Sequence, residues 1–197
     1  MENKSKKKLW IALASLAVVV IAGLSVTVGV LAAQSATVTS TINVGYVSHQ
    51  VSANVTAQYK LGSAEYVNFT GTGITNGTAS FNGEEANAEK TMTAGNLTLD
   101  NSANRVVVFK YTFANTGSGS EVDFTAALTG EPSDTHSNVT ITYSTDGETY
   151  AANTAKTFNV AAGATATFYI KVELVSAAVD VAYTGNFVWT LTNNHIA

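Results

Sequence analysis

The chain has no cysteine, a single proline, and charge on only 12% of its 197 residues. Without cysteine there is no disulfide to staple the fold and no thiolate to bind a metal or act as a nucleophile. Stability must come from packing. The lone Pro132 sets the chain apart from Pro-rich and low-complexity sequences. Histidine is also scarce. His49 and His136 fall in predicted loops and His195 lies near the C-terminus, with no two at ligand spacing. The sequence contains neither a His-Glu-x-x-His zinc motif nor a Gly-x-Ser-x-Gly elbow, and Gly117-Ser-Gly-Ser120 reads as a turn.

Basic residues are few and unevenly placed. Lys4, Lys6, Lys7 and Lys8 crowd the start, and after residue 33 only Lys60, Lys90, Arg105, Lys110, Lys156 and Lys171 remain. Thirteen acidic residues face those six, a formal charge of −7 for that region. An acidic surface with scattered cations excludes nucleic acid as a partner. These absences predict a protein that is not an enzyme and carries no cofactor.

What is present begins with an apolar run. The lysine cluster feeds Leu9–Ala33, 25 residues without a charge. A signal-peptide core is ~7–15 residues and a spanning helix needs ~20, so the run is long for the first and sufficient for the second. Gly23, Ser25, Thr27 and Gly29 weaken its second half, and Val30-Leu31-Ala32 fits small-residue cleavage, with Ala33 as the neighbouring site. The expectation is one N-terminal apolar helix over residues 1–33. It is either a signal peptide cut near Ala32 or Ala33 or an anchor holding the membrane through residues 9–33. Both readings place residues 34–197 outside the cytoplasm, extracellular or at the cell surface.

From Thr37 the pattern changes to period two, the mark of half-buried strands. Val38, Ile42, Val44 and Tyr46 share one face, and Val51, Ala53, Val55, Ala57 and Tyr59 share another, with Ser48-His49-Gln50 between them as a hairpin loop. Val67 and Phe69 suggest a short strand. Gly71 to Gly95 reads as a long loop with a short strand near Ser80–Phe81, and strand signal resumes at Leu97 and Leu99. Arg105–Ala114 is apolar on both faces at first, as a central strand would be. Val122–Thr129 and Val139–Ser144 alternate, and Asp146-Gly147 signals a two-residue hairpin. Ala166, Phe168, Ile170, Val172 and Leu174 point inward on the clearest strand, and Phe187, Trp189 and Leu191 close the chain. About nine to eleven short strands without helical periodicity predict an all-β fold. The expected form is a single β-sandwich domain over residues 34–197, with jelly-roll or immunoglobulin-like Greek-key wiring.

Three phrases carry a resemblance: Val107–Gly117 (VVFKYTFANTG), Val160–Val172 (VAAGATATFYIKV) and Tyr183–Leu191 (YTGNFVWTL). Together with the leader they resemble secreted Gram-positive β-sandwich proteins of the TasA/camelysin kind, and further exported proteins of gut Firmicutes. The resemblance implies a jelly-roll subunit of an extracellular matrix or surface fibre. In that family an aromatic and an acid usually follow the leader, whereas this chain has Ala33-Gln-Ser-Ala-Thr37.

The residues themselves point the same way. Thr37–Val47 is uncharged and rich in β-branched residues, and it follows the leader directly. Such a strand is suited to pairing with a neighbour's open edge, so self-association by strand addition is the leading expectation. The alternative is a carbohydrate-binding or adhesin module making glycan or cell-wall contact. Tyr143, Tyr150, Tyr169 and Trp189 are the aromatics to consider, Trp189 being expected in the core. Tyr169 lies on the polar face of its strand and, with Tyr150, is the candidate ligand-stacking pair. Asp100-Asn101 and Asp134 offer oxygens to calcium without EF-hand spacing. The carboxylates Asp146 and Glu148, and Glu84, Glu85 and Glu89, read as solvating charge.

Overall fold

The computed structural model describes residues 35–46, 51–82, 88–100, 104–116, 123–131, 139–174 and 181–193. The apolar run Leu9–Ala33, its cleavage candidates Ala32 and Ala33, and all three histidines lie outside the described residues. Among the described residues no helix is long and apolar enough to cross a membrane.

Alternation decides the local structure. Along Thr165–Leu174, the apolar Phe168, Ile170, Val172 and Leu174 are buried, while Thr165, Thr167, Tyr169, Lys171 and Glu173 face outward. The described residues form eleven strands. They are β1 (Ser35–Tyr46), β2 (Ala53–Leu61), β3 (Val67–Asn68), β4 (Thr78–Phe81), β5 (Ala88–Asp100), β6 (Val106–Asn115), β7 (Phe124–Gly130), β8 (Val139–Ser144), β9 (Thr157–Val160), β10 (Thr165–Leu174) and β11 (Val181–Asn193). They form two sheets, one in the order β5-β1-β11-β7-β9 and the other β3-β2-β6-β10-β8, with β4 also paired to β2. The fold is all-β.

One core joins the two sheets, drawing on residues from Ile42 in β1 to Leu191 in β11. At its centre Trp189 of the first sheet meets Phe113, Phe168 and Tyr111 of the second, at ring-centroid distances of 4.8, 5.2 and 5.7 Å. Phe158 of β9 completes the cage at 5.9 Å. Each large side chain buried this way contributes about 1.5–3 kcal/mol from area alone, and edge-on ring pairs add to it. This packing does the work that disulfides do in many exported domains.

The structure departs from the sequence expectations in the connections. β1 and β2 lie in different sheets, so they are not a hairpin across Ser48–Gln50. Asp146-Gly147 is not a two-residue hairpin either. β8 pairs with β10, and Tyr143 bridges Ala151 across a longer loop. β5 begins at Ala88, in a stretch expected to be loop up to Gly95. Its register slips opposite Ser40/Thr41, where Gly95 adopts a φ of +74°, so the inward side switches from Met92 to Leu97 and Leu99. A bulge of this kind breaks period two and hides a strand behind apparent turn chemistry. β9, which pairs with β7, has no counterpart among the expected strands.

Candidate functional site

Two features stand out: the place of β1, and an aromatic, cationic patch on the outer face of the second sheet.

β1 is an interior strand. It runs parallel to β11 from Ala36↔Val181 to Tyr46↔Leu191, and antiparallel to β5 from Ser35↔Asp100 to Tyr46↔Ala88. The first described strand therefore lies in a slot between β5 and the last described strand, β11. Ile42 and Val44 fill the core from it. On its outer side the Thr91 hydroxyl donates to Asn43 Oδ1 at 2.9 Å, and the Thr93 hydroxyl donates to the Ser40 carbonyl at 3.3 Å. The Ser40 side chain points inward and is fully buried. It approaches the Tyr111 hydroxyl, but neither group forms a well-made hydrogen bond, and the Trp189 Nε1–H is also unpaired.

The second feature is built on β2, β6 and β10. Alternation turns Lys60, Lys110, Tyr169 and Lys171 outward, and the register sets Lys110 between Gln58 and Tyr169. In the adjoining row Val108 lies between Lys60 and Lys171 and is only 6% exposed despite its outward side. The long lysine stems beside it account for that cover. Tyr66, from the turn after β2, supplies a ring to Lys60 and Lys110 at 5.1 and 5.4 Å, and Lys171 lies 5.1 Å from the Tyr150 ring. Cation–π attraction thus holds all three ammonium groups in place.

The loop after β8 sets the position of Tyr150 and backs Tyr169. The Ser144 hydroxyl donates to Asp146 Oδ1 at 2.7 Å, and the same oxygen accepts the Glu148 and Thr149 N–H groups at 2.8 and 2.9 Å. The Asp146 and Gly147 N–H groups donate back to Ser144 Oγ. These bonds, with the Ser144 hydroxyl foremost, pull the Asp146 carboxyl down to about 2. Gly147, at a φ of +78°, brings its backbone under the Tyr169 ring: a Cβ there would meet Tyr169 Cζ at 2.9 Å. Burial, aided by the nearby Tyr66, Tyr169 and Asp146, pushes the Tyr150 hydroxyl up to about 12. Burial also raises Tyr66. Both remain neutral donors at ordinary pH.

The structure therefore brings the two candidate stacking residues, Tyr169 and Tyr150, onto one face. It adds Tyr66, Lys60, Lys110 and Lys171, which come from four separate segments and share no spacing in the sequence. It does not put Tyr143 on that surface. Tyr143 is buried against Phe168, its ring covered by the Lys156 ammonium at 4.1 Å. Trp189 is in the core, as expected. Asn101 and Asp134 lie outside the described residues, and among the described residues no three His, Cys, Asp or Glu side chains converge as metal ligands. No protein-family model matches the chain, and neither does any curated protein.

Proposed function

We propose that this protein is a non-enzymatic, exported structural subunit of the cell surface or extracellular matrix, delivered by its N-terminal apolar helix and able to assemble by exchange of β1. The observation that carries the reading is the position of β1. A terminal strand that lies inside a sheet, bonded along both edges, leaves an open slot when it is withdrawn. The same strand from a second copy offers that slot the same backbone bonds and the same Ile42 and Val44. Exchange between identical sites therefore costs little in enthalpy, and concentration decides the balance. The contact is head-to-tail, so it propagates into a chain of subunits unless a ring closes. The residues from 47 to 52 that join β1 to β2 reach about 20 Å when extended, which bounds the distance between exchanging subunits.

The leader tunes this mechanism. Cleavage near Ala32 or Ala33 leaves β1 at a free end. Retention of residues 9–33 as an anchor tethers it and favours insertion into its own chain. N-terminal sequencing of the protein from its own cells, combined with fractionation, tests the export reading. Recovery outside the cytoplasm, starting near Gln34 or retaining the anchor, supports it. Soluble recovery from the cytoplasm with an intact N-terminus overturns it.

A further inference from the structure

The outer face of the second sheet gathers three of the six basic residues that follow the leader, in a region whose formal charge is −7. Lys60 and Lys110 are directed at the same ring, Tyr66. Among the described residues neither has a carboxylate at ion-pair distance, while Lys171 is shared with Glu173 at 3.3 Å. Elsewhere in the domain a lysine is matched in the ordinary way, as Lys156 is by Glu131 at 2.6 Å. Two like charges around one ring repel one another, and cation–π attraction to a half-exposed tyrosine offsets that only in part. A multiply charged anion lying across the two would remove the repulsion.

We propose that Tyr66, Tyr150 and Tyr169 with Lys60, Lys110 and Lys171 form a binding face for an acidic polysaccharide. The surface runs across β2, β6 and β10, about 4.8 Å per strand, so it presents an extended track that suits a chain-like ligand. Ammonium groups meet the acidic substituents of the sugar, and the phenol hydroxyls donate to its oxygens. The partly open rings cover its C–H surfaces. Each ring already holds a protein group against it: Lys60 and Lys110 on Tyr66, Lys171 on Tyr150, and the Gly147 backbone on Tyr169. The aromatic groups are therefore pre-set and lose little side-chain freedom on binding. This face serves whether or not β1 exchanges between copies.

Binding of the secreted-length chain, starting at Gln34, to polygalacturonate at low salt tests the proposal, with neutral dextran and poly-glutamate as comparison ligands. The proposal expects binding to polygalacturonate that weakens as salt rises. It expects no binding to dextran, and at least about tenfold weaker binding to poly-glutamate. The double variant Lys60→Gln, Lys110→Gln should lose about tenfold or more. Lys156→Gln, whose ammonium pairs with Glu131 and covers Tyr143 rather than Tyr66, Tyr150 or Tyr169, should bind as the parent does. Thermal unfolding of each variant shows that it is folded, and Lys171→Gln provides an independent loss if the double variant is not. Absence of binding at low salt, undiminished binding by folded lysine variants, or equal binding to poly-glutamate overturns the proposal.

Discussion

The hydroxyl of Ser40 faces that of Tyr111 in the middle of the core, and neither makes a hydrogen bond of good geometry. Ser40 is the inward residue of β1 at the point where β5 bulges, and Tyr111 comes from the opposite sheet. The pair is thus a polar mark on the slot that β1 fills. A slip of β1 by two residues keeps the same side inward but moves Ser40 away from the Tyr111 hydroxyl and buries it among apolar groups. Buried polar groups serve as register marks of this kind in other folds.

Removing that mark tests its cost. A buried hydroxyl without a good partner gives little stability, so its loss is nearly neutral or stabilising. Tyr111→Phe is expected to change urea unfolding by less than about 1 kcal/mol, in either direction. A loss well above that value shows that the Tyr111 hydroxyl is well bonded in solution.

Gly147→Ala is expected to destabilise the protein by about 1–3 kcal/mol, because an L side chain at a φ of +78° is strained and its Cβ meets Tyr169. The variant should also displace Tyr169 from its seat. Gly163→Ala makes a useful comparison, since it shares the positive φ but its Cβ meets nothing within 4 Å. Denaturant unfolding of both measures the two effects, and equal losses would show that the Tyr169 contact adds nothing.

Asp146 makes a pH prediction. Its carboxyl is lowered from 3.8 to about 2 by the Ser144 hydroxyl and the Glu148 and Thr149 N–H groups. A carboxyl lowered in the folded state stabilises the fold above its unfolded pKa, and that contribution is lost as pH falls through the folded value. Asp146→Ala should therefore flatten the fall in stability between about pH 4 and pH 2. Melting temperatures across that range check it. An unchanged acid limb would place the carboxylate outside these bonds.

Much of the fold was legible because period two survives wherever one face is buried. The inward sets of β2, β8 and β10 could be named residue by residue, whereas β6 read only as a strand apolar on both faces. What stayed hidden has physical causes. The alternation is the same for parallel and antiparallel neighbours, so the parallel β1–β11 pair leaves no trace in it. The bulge at Gly95 reverses the parity of β5 halfway along. A short strand such as β9 carries too few residues to show a period, and Asp-Gly is equally good chemistry for a hairpin and for the Ser144–Asp146 loop. At the outer face, Tyr169 could be read from strand polarity alone. Lys60 and Lys171 share that outward polarity, but their meeting with Lys110 and Tyr66 could not be read, since only the sheet order brings β2, β6 and β10 side by side.

The most direct test of assembly compares the solution size of the chain beginning at Gln34 with that of a chain beginning near Gln50, over a wide concentration range. The account predicts that the longer chain forms multimers as concentration rises. The shorter chain, lacking β1, should not propagate, and it should take up one equivalent of a peptide spanning Ser35–Tyr46 per subunit. If both chains are stable monomers at high concentration, or the shorter one ignores the peptide, β1 exchange is not how this protein assembles.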